Sequence, residues 1–189
     1  MNVKVVLVDF YDSFTFNLSH YLEQLNVEVT VIRHDYLNLS ELNLFDAIVL
    51  SPGPGLPTEK ENLMELLSLY AGKKPILGVC LGMQAIALHL GAALENQQEV
   101  KHGVQGKLIV KDHSRLFQEL PNEFLVGLYH SWKVVNVPEA WQSSHLENGV
   151  LMSLEVPNQL LYAVQFHPES ILTDHGLQLL SNFIQSITS

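Results

Sequence analysis

The stretch PILGVCLGMQAIALHL, residues 75–90, predicts a strand, a tight turn and a helix in direct succession. Its first five residues form an apolar run that is typical of a strand. Residues 82–90 have a helical pattern, and Gly91 is placed to end that helix. Further strand-like runs in the first half of the chain lie at 3–8, 27–32 and 47–50. Because these runs alternate with helical patterns, we expect right-handed crossovers and a mainly parallel sheet covered by helices on both faces.

Residues with capping side chains mark the starts of three more predicted helices. Ser13 is placed to cap the first of them. Thr58 and Glu61 have the spacing of a capping box before a second helix. Thr173 is placed to cap a last helix that runs to about residue 187. The predicted apolar face of that last helix is formed by Leu177, Leu180, Ile184 and Ile187.

The region from residue 96 to about 165 has a different pattern. Strand-like runs at 107–110, 124–128 and 160–166 are linked by polar turns rather than by long helices. Short connections favour antiparallel strands, either added to the sheet or folded over one end. The sequence contains no internal repeat, Gly/Ser linker or domain boundary. We therefore predict an α/β fold in one domain, residues 1–189, with a mainly parallel sheet plus added antiparallel strands.

The composition restricts the partners and the compartment. The 189 residues include ten basic and twenty acidic side chains, for a net charge of −10, which disfavours nucleic acid and anionic membranes as major partners. A single cysteine cannot form an internal disulfide, so a reducing, cytoplasmic location is expected. The apolar N-terminal run meets Asp9 too soon for a signal peptide, and no stretch approaches membrane-spanning length.

Cys80, in the turn of residues 78–82, has two interpretations. Free cysteine is among the most buried residue types and is usually an inert, small hydrophobic side chain. Gly-x-Cys-x-Gly between a strand and a helix also has the form of a nucleophile elbow, in which the glycines allow a sharp turn and clear space around the nucleophile. The helix N-terminus would then favour the thiolate. Two glycines at the correct offsets favour the nucleophile.

His167 and Glu169 are the candidate base and orienting group that a thiol nucleophile needs. Pro168 lies between them and stiffens the segment, so that the carboxylate can hold the imidazole in one tautomer. A lone histidine at a strand end is more commonly structural, but the neighbouring proline and carboxylate favour a functional role. No other histidine has the spacing of a metal ligand, and we expect no bound metal.

Residues 51–55, SPGPG, form a third unusual stretch at a strand end. Ligands of open α/β sheets bind at the carboxyl ends of the strands, so this loop is expected near Cys80 and His167. Its prolines lack N–H groups, which argues against a phosphate cradle. The backbone N–H groups of Gly53 and Leu81 are instead placed to donate to an oxyanion. A tight strand-to-helix connection without a function is the alternative interpretation.

Three motifs, SPGPG, GVCLGMQ and QFHPES, resemble those of the class I glutamine amidotransferases. Three further stretches resemble one branch of that family, the small glutaminase subunit shared by anthranilate synthase and aminodeoxychorismate synthase. They are DFYDSFTFNL (9–18), YHSWKV (129–134) and PESILTDHG (168–176). The resemblance covers essentially the whole chain, and the three motifs together are highly specific.

The resemblance implies a flavodoxin-like three-layer fold and a Cys-His-Glu triad that hydrolyses L-glutamine to glutamate and ammonia. Cys80 would form a γ-glutamyl thioester, His167 would act as general base and then as acid, and Glu169 would orient the imidazole. The implied oxyanion donors are Gly53 and Leu81, and the implied glutamine contacts are Gly55, Gln84, Ser131 and Trp132.

The same resemblance implies a partner. Ammonia would pass to a separate chorismate-binding synthase subunit, in a heterodimer or heterotetramer, and Mg²⁺ would be bound by that subunit, with no cofactor in this chain. The product would be anthranilate, for tryptophan, or 4-amino-4-deoxychorismate, for folate, and the sequence leaves both pathways open. Two other hypotheses are a free-standing thiol hydrolase or peptidase and a non-catalytic interaction subunit. An α/β-hydrolase is disfavoured because its acid precedes the histidine along the chain.

Three single positions and one short segment depart from the family pattern without removing a triad residue. Met83 stands where the pattern has histidine, Leu128 replaces an arginine, and Trp132 replaces a leucine. Residues 102–106 read HGVQG in place of HGKxS. These differences leave the expectation of glutamine hydrolysis intact but make the choice of synthase partner less specific.

Overall fold

The fold is an open β-sheet with helices on both of its faces. The computed structural model describes residues 2–97 and 102–187. The prediction of one domain over residues 1–189 therefore includes positions 1, 98–101 and 188–189, which lie outside the described residues. No helix within the described ranges is long and apolar enough to cross a membrane.

The strands of the described residues are β1 (Lys4–Asp9), β2 (Glu28–Arg33), β3 (Ala47–Leu50), β4 (Ile76–Val79), β5 (Ala93–Asn96), β6 (Val104–Val110), β7 (Glu123–Leu128), β8 (Trp132–Val135), β9 (Gln142–Leu146), β10 (Leu151–Val156) and β11 (Leu161–Val164). The α-helices are α1 (Thr15–Glu23), α2 (Leu63–Tyr70), α3 (Leu81–His89) and α4 (Gly176–Ile187).

Nine of the strands in these residues form one sheet, in the order β2-β1-β3-β4-β11-β10-β9-β6-β7. The first five in that order are parallel and the other four are antiparallel to their neighbours. The prediction of a mainly parallel sheet with added antiparallel strands is confirmed. The antiparallel direction predicted for 160–166 holds on one side only: β11 is antiparallel to β10 but parallel to β4, with Ala163 opposite Gly78. Its four apolar residues are fully buried, as is usual in the interior of a parallel sheet.

Alternate residues of the parallel strands face two separate cores. On one face, Leu7 of β1 belongs to the apolar cluster that includes Leu22 of α1 and Phe183 of α4. On the other face, Val8 belongs to the cluster that includes Ile86 of α3 and residues of α2. Helices therefore cover the sheet on both sides, which confirms the predicted three-layer fold and explains why the interior strands β3, β4 and β11 are buried along their whole length.

Polar strands are the main feature that the sequence pattern missed. β9 has the sequence QSSHL and offers no apolar run. Its buried serines pair with β10: Ser143 Oγ and Ser144 Oγ lie 2.9 Å and 2.5 Å from Ser153 Oγ. Because the hydroxyls satisfy one another, a polar strand is accommodated inside the sheet. The turn to β10 contains Asn148 and Gly149, with a φ of +81° at the glycine, and Asn-Gly was an available hairpin signal.

A small separate sheet positions the segment that precedes β8. β5 pairs with β8 in antiparallel fashion, with Asn96 opposite Trp132. The backbone N–H of Gln97 donates to the carbonyl of Ser131 at 2.7 Å, and its side chain donates to the carbonyl of His130 at 3.3 Å. These bonds hold the segment before β8, whose residues Ser131 and Trp132 line the same cavity as Cys80.

The start of α1 differs from the prediction, and Ser13 is not its cap. The helix begins at Thr15, and its N-cap residue, Phe14, makes no side-chain capping hydrogen bond. Instead, Oδ1 of Asp12 accepts from the backbone N–H of Phe14 at 2.8 Å, and Thr15 Oγ1 donates to Oδ1 of Asp9 at 2.8 Å. Carboxylates at the end of β1 thus hold the helix start.

The predicted capping box at Thr58 and Glu61 is also wrong. A short 3-10 helix occupies residues 57–59, and Oε2 of Glu59 accepts from the backbone N–H of Leu56 at 2.9 Å. α2 begins only after Asn62, which has a left-handed φ of +64°.

The predicted apolar face of α4 is correct at three of its four positions, because Leu180 is buried and Ile184 and Ile187 pack half-buried against the same core. Leu177, assigned to the apolar face, is 37% exposed. The residues buried against the sheet are Leu179, Leu180 and Phe183. The direction of the helix relative to the sheet, which residue spacing alone does not contain, decides which of several apolar residues face inward.

Candidate active site

Three strand ends bring the three motifs together. β3, β4 and β11 are parallel neighbours, so the residues that follow them lie at one edge of the sheet. SPGPG follows β3, Cys80 follows β4, and His167 comes shortly after β11. A cavity of about 190 Å³ opens at this edge and is lined by Gly53, Pro54, Gly55, Cys80, Gln84, Tyr129, His130, Ser131 and Trp132. A larger cavity of about 770 Å³, at the opposite edge, is lined by residues such as Lys4 and Asp46 and is remote from this chemistry.

Cys80 has a strained backbone conformation. Its φ of +53° and ψ of −99° are unusual for a residue with a side chain, and such geometry costs on the order of 1–3 kcal/mol. Two backbone hydrogen bonds hold it: Cys80 N–H donates to the carbonyl of Val164 at 2.8 Å, and its own carbonyl accepts from the N–H of Gln84 at 3.1 Å. A strained turn between a strand and a helix is the geometry of a nucleophile elbow.

The two glycines of the turn allow α3 to approach the sheet closely. A Cβ on Gly78 would lie 2.4 Å from the carbonyl carbon of Gly82, and a Cβ on Gly82 would lie 2.7 Å from the carbonyl oxygen of Leu50. Neither glycine has a positive φ. Their role is therefore close packing of the helix start against β3 and β4, while Cys80 itself adopts the unusual dihedral angles.

His167 and Glu169 form a buried hydrogen-bonded pair. Nδ1 of His167 lies 2.8 Å from Oε1 of Glu169, and the two side chains are 3% and 0% exposed. Because a carboxylate oxygen only accepts, Nδ1 is the donor and the ring orientation is defined. Nε2 is then the ring atom available to Cys80. The contact between these two side chains agrees with the pairing of His167 and Glu169 that the sequence predicted.

The surroundings of His167 favour its positively charged form. Burial is the largest single influence and lowers the pKa of the imidazole. Interactions with Cys80 and Glu169 together outweigh burial and raise this pKa from 6.5 to about 10. Nε2 makes no hydrogen bond of ordinary geometry to the described residues. The Cys80 side chain is nevertheless close enough to raise the pKa of the imidazole. At neutral pH these interactions therefore favour the imidazolium form of His167.

Two aromatic rings enclose the imidazole. The ring centroids of Tyr129 and Phe14 lie 4.7 Å and 5.2 Å from that of His167, and 5.0 Å from each other. The Tyr129 hydroxyl is 2.9 Å from Ser170 Oγ, so the loop that contains His167 also holds the ring that covers it. Both residues lie in stretches that resemble the family, but the sequence predicted Phe14 only for the apolar face of the first helix and predicted no part in the site for either residue.

Thr173 and Gly176 hold the loop that contains His167 in place. Thr173 does not cap α4; its Oγ1 donates to the carbonyl of His167 at 2.6 Å and accepts from the backbone N–H of Gly127 at 2.9 Å. A Cβ on Gly176 would lie 1.8 Å from the carbonyl oxygen of Pro168. The first turn of α4 can therefore press against the loop only because residue 176 is glycine.

The predicted oxyanion donors lie side by side. A Cβ on Gly53 would be 2.8 Å from a methyl group of Leu81 and 2.6 Å from Cβ of Phe10. Leu81 is the first residue of α3, where a backbone N–H has no partner within the helix. The SPGPG loop is anchored by Ser51 Oγ, which accepts from the N–H of Phe10 at 3.0 Å. Close packing beside Cys80 is thus observed, and the donation to an oxyanion stays a prediction.

The predicted glutamine contacts lie around the same cavity. Gly55, Gln84, Ser131 and Trp132 all line it, whereas Leu81, His167 and Glu169 do not. Gln84 is buried and its Nε2 donates to the carbonyl of Trp132 and to Oε1 of Gln165, both at 3.4 Å. Gly55 has a left-handed φ of +76°, which a glycine adopts without strain.

The departures from the family pattern divide into core and cavity positions. Met83 and Leu128 are fully buried in the two apolar cores and do not line the cavity. Trp132 does line it. Val104 of the 102–106 segment begins β6. Among the residues the structure describes, no group of three His, Cys, Asp or Glu side chains could hold a metal ion.

An open α/β sheet with an elbow-mounted cysteine and a buried His-Glu pair at its ligand-binding edge is the arrangement of a cysteine-nucleophile enzyme. The family model for glutamine amidotransferase class-I matches residues 6–187. The chain belongs to this family, as its motifs predicted.

Two relatives and one solved structure are similar to this chain over almost its whole length. The chain is 36% identical over 188 residues to anthranilate synthase component 2 of Lactococcus lactis, covering 97% of this chain and 94% of that protein. It is 42% identical over 186 residues to the aminodeoxychorismate synthase of Streptomyces griseus, covering 96% of this chain and 26% of that longer protein. A crystal structure of a Thermoplasma acidophilum protein superposes with a TM-score of 0.89 at 28% identity, covering 100% of this chain and 95% of that one.

Proposed function

We propose that this chain is the glutaminase subunit of a chorismate-using synthase. It hydrolyses L-glutamine to glutamate and passes the ammonia to a separate chorismate-binding subunit. The observation that carries the proposal is the strained Cys80 backed by a buried His167–Glu169 pair whose imidazole pKa is raised to about 10. The cavity beside Cys80, about 190 Å³, suits a ligand of the size of one amino acid.

The first half of the reaction forms a thioester. The Cys80 thiolate attacks the side-chain amide carbon of glutamine, a C–S bond forms, and the carbonyl oxygen takes the negative charge. The N–H groups of Gly53 and Leu81 stabilise that oxyanion. When the tetrahedral intermediate collapses, the C–N bond breaks and the imidazolium of His167 donates its Nε2 proton to the leaving nitrogen. Ammonia departs, leaving a γ-glutamyl thioester and a neutral imidazole.

The second half regenerates the thiolate. Water attacks the thioester carbon, and Nε2 of the neutral His167 accepts the water proton. The C–S bond then breaks, glutamate leaves, and the thiolate again faces an imidazolium. Glu169 keeps the Nδ1 proton in place through both halves, which leaves Nε2 as the only ring nitrogen that exchanges a proton.

Substrate selection depends on the residues around the cavity. Gly55, Gln84, Ser131 and Trp132 are the proposed contacts of the glutamine backbone and amide. No step in this chain needs a cofactor, and Mg²⁺ is proposed to bind to the chorismate-binding subunit.

The partner follows from the names of the relatives. Anthranilate synthase component 2 of Lactococcus lactis is named as one component of a synthase, and in the Streptomyces griseus aminodeoxychorismate synthase the matching part is about a quarter of a longer chain. We propose a heterodimer or heterotetramer in the cytoplasm, with anthranilate or 4-amino-4-deoxychorismate as the product.

Reconstitution with a partner tests the proposal. The chain is assayed for glutamate release alone and with each chorismate-binding subunit of its own cell, and the aromatic product identifies the pathway. Cys80→Ser is expected to abolish glutamine-dependent synthesis while ammonia-dependent synthesis by the complex continues, because only ammonia production uses the sulfur.

Three outcomes would contradict the proposal. A full glutaminase rate without a partner would indicate a free-standing thiol hydrolase. No covalent labelling of Cys80 by a glutamine-analogue electrophile would indicate a non-catalytic interaction subunit. Loss of both glutamine- and ammonia-dependent synthesis in Cys80→Ser would show that the role assigned to Cys80 is wrong.

A further inference from the structure

Gln165 contacts the nucleophile from the buried side. It directly follows β11 and is fully buried, and its side-chain Nε2 donates to Sγ of Cys80 at 3.5 Å. A glutamine without exposed surface has to satisfy its amide inside the protein. Among the described residues, its side-chain amide contacts the sulfur of Cys80 and the side chain of Gln84.

The orientation of that amide is determined by its other partner. The carbonyl of Trp132 can only accept, so Gln84 must turn its Nε2 towards it. The same Nε2 then has a second hydrogen for Oε1 of Gln165. With its oxygen engaged by Gln84, Gln165 presents its N–H₂ group to Cys80. The carbonyl of Trp132 thus fixes the orientation of Gln84, and Gln84 in turn fixes the orientation of Gln165, whose N–H₂ group points at the sulfur.

The backbones on both sides of this contact are also held. Gln165 N–H donates to the carbonyl of Met152 at 2.8 Å, and Cys80 N–H donates to the carbonyl of Val164 at 2.8 Å. Two adjacent parallel strands therefore bring the amide and the sulfur together, so the contact has little freedom to lengthen.

We propose that Gln165 is a positioning residue for the nucleophile: its amide holds the Cys80 sulfur and stabilises the thiolate opposite His167. Gln84 lines the cavity and Gln165 does not, so the two amides also couple the occupant of the cavity to the sulfur. A ligand that engages Gln84 changes the bond that orients Gln165. The effect on turnover rests on the proposed glutaminase function, whereas the effect on the sulfur does not.

Alkylation of Cys80, which needs no glutamine, tests the contact directly. The rate of modification by iodoacetamide at neutral pH is compared in the wild-type chain, Gln165→Leu and Gln165→Glu. Loss of the donor is expected to slow alkylation about tenfold in Gln165→Leu. Gln165→Glu, similar in shape, is expected to slow it further because a carboxylate repels the thiolate. Thiolate absorbance in the ultraviolet is expected to fall in the same order.

A second glutamine provides the matched control. Gln142 also donates its Nε2 to a backbone carbonyl, that of Val137 at 2.8 Å, but lies in β9 away from Cys80. Gln142→Leu is expected to alkylate at the wild-type rate. If Gln165→Leu does not fold, Gln165→Glu and Gln84→Leu provide the test, since Gln84→Leu removes the bond that orients Gln165.

Wild-type alkylation in folded Gln165 variants would overturn the proposal. In the complete synthase complex, kcat for glutamine hydrolysis is expected to fall about tenfold in Gln165→Leu, with a smaller rise in KM because Gln84 loses its hydrogen-bond partner. A rise in KM alone would also overturn it. A wild-type chain that alkylates rapidly but hydrolyses no glutamine with any partner would refute the proposed function and leave the role of Gln165 at the sulfur intact.

Discussion

Replacement of Glu169 by glutamine removes the charge behind His167 while nearly preserving its shape. Nδ1 of His167 and Oε1 of Glu169 are 2.8 Å apart and buried. For charge centres about 4 Å apart at an effective dielectric constant of about 20, the attraction is about 4 kcal/mol. A neutral amide retains a hydrogen bond but not this attraction. We therefore expect kcat for glutamine hydrolysis to fall about 100- to 1,000-fold in Glu169→Gln.

In Glu169→Gln, the rate of thioester hydrolysis, the second half of the reaction, is expected to fall more than the rate of thioester formation. A glutamine side chain can present its N–H₂ group to Nδ1, which moves the ring proton to Nε2 and prevents that atom from accepting the proton of water. The γ-glutamyl thioester should then accumulate. Rapid acid quenching of the complex with labelled glutamine, followed by mass spectrometry of the Cys80 peptide, measures this accumulation alongside steady-state glutamate release.

A second buried carboxylate is the control for general damage to the fold. Glu155 is 4% exposed and accepts hydrogen bonds from Ser114 Oγ and from the backbone N–H of Leu116, outside the site. Glu155→Gln is expected to lower stability without changing kcat. A Glu169→Gln complex with kcat within threefold of wild type, or a Glu155→Gln complex with an equal loss, would refute the electrostatic role of Glu169.

Two further predictions concern stability. Gly82→Ala places a methyl group 2.7 Å from the carbonyl oxygen of Leu50. The free energy of unfolding, measured by urea titration, should therefore fall by about 1–3 kcal/mol. An unchanged value would mean that α3 can move away from β3 freely. Because the pKa of His167 rises from 6.5 to about 10 on folding, its protonation stabilises the fold fully below pH 6.5 and loses that effect as pH approaches about 10. The difference in unfolding free energy between the wild type and His167→Gln should therefore shrink across this range, and a constant difference would contradict the raised pKa.

The parallel half of the fold could be predicted because its sequence pattern has a direct physical cause. Strands covered by helices on both faces need unbroken apolar runs, and 47–50 and 75–79 are such runs. The polar strand β9 broke this rule because Ser143 and Ser144 find a partner in Ser153, ten and nine residues away. Hydrogen bonds across neighbouring strands do not appear in the periodicity of one strand.

Local capping rules failed where a long-range partner was available. Thr173 has the residue type of a cap, but its hydroxyl is used by the carbonyl of His167 and the N–H of Gly127. Ser13 precedes α1, but the carboxylates of Asp9 and Asp12 hold that helix start. A side chain bonds with whatever the fold places beside it, and the short-range rule considers only residues within one turn.

By itself, the sequence identified the residues of the candidate site: one cysteine between glycines at a strand end, and a histidine with a carboxylate two residues on. These features are local, and parallel strand ends meet at one edge of any such sheet. Only the tertiary structure decided that Phe14 and Tyr129 enclose the imidazole and that an amide 85 residues from Cys80 donates to its sulfur. Contacts at that separation depend on which strands become neighbours, and strand order is a property of the whole packed chain.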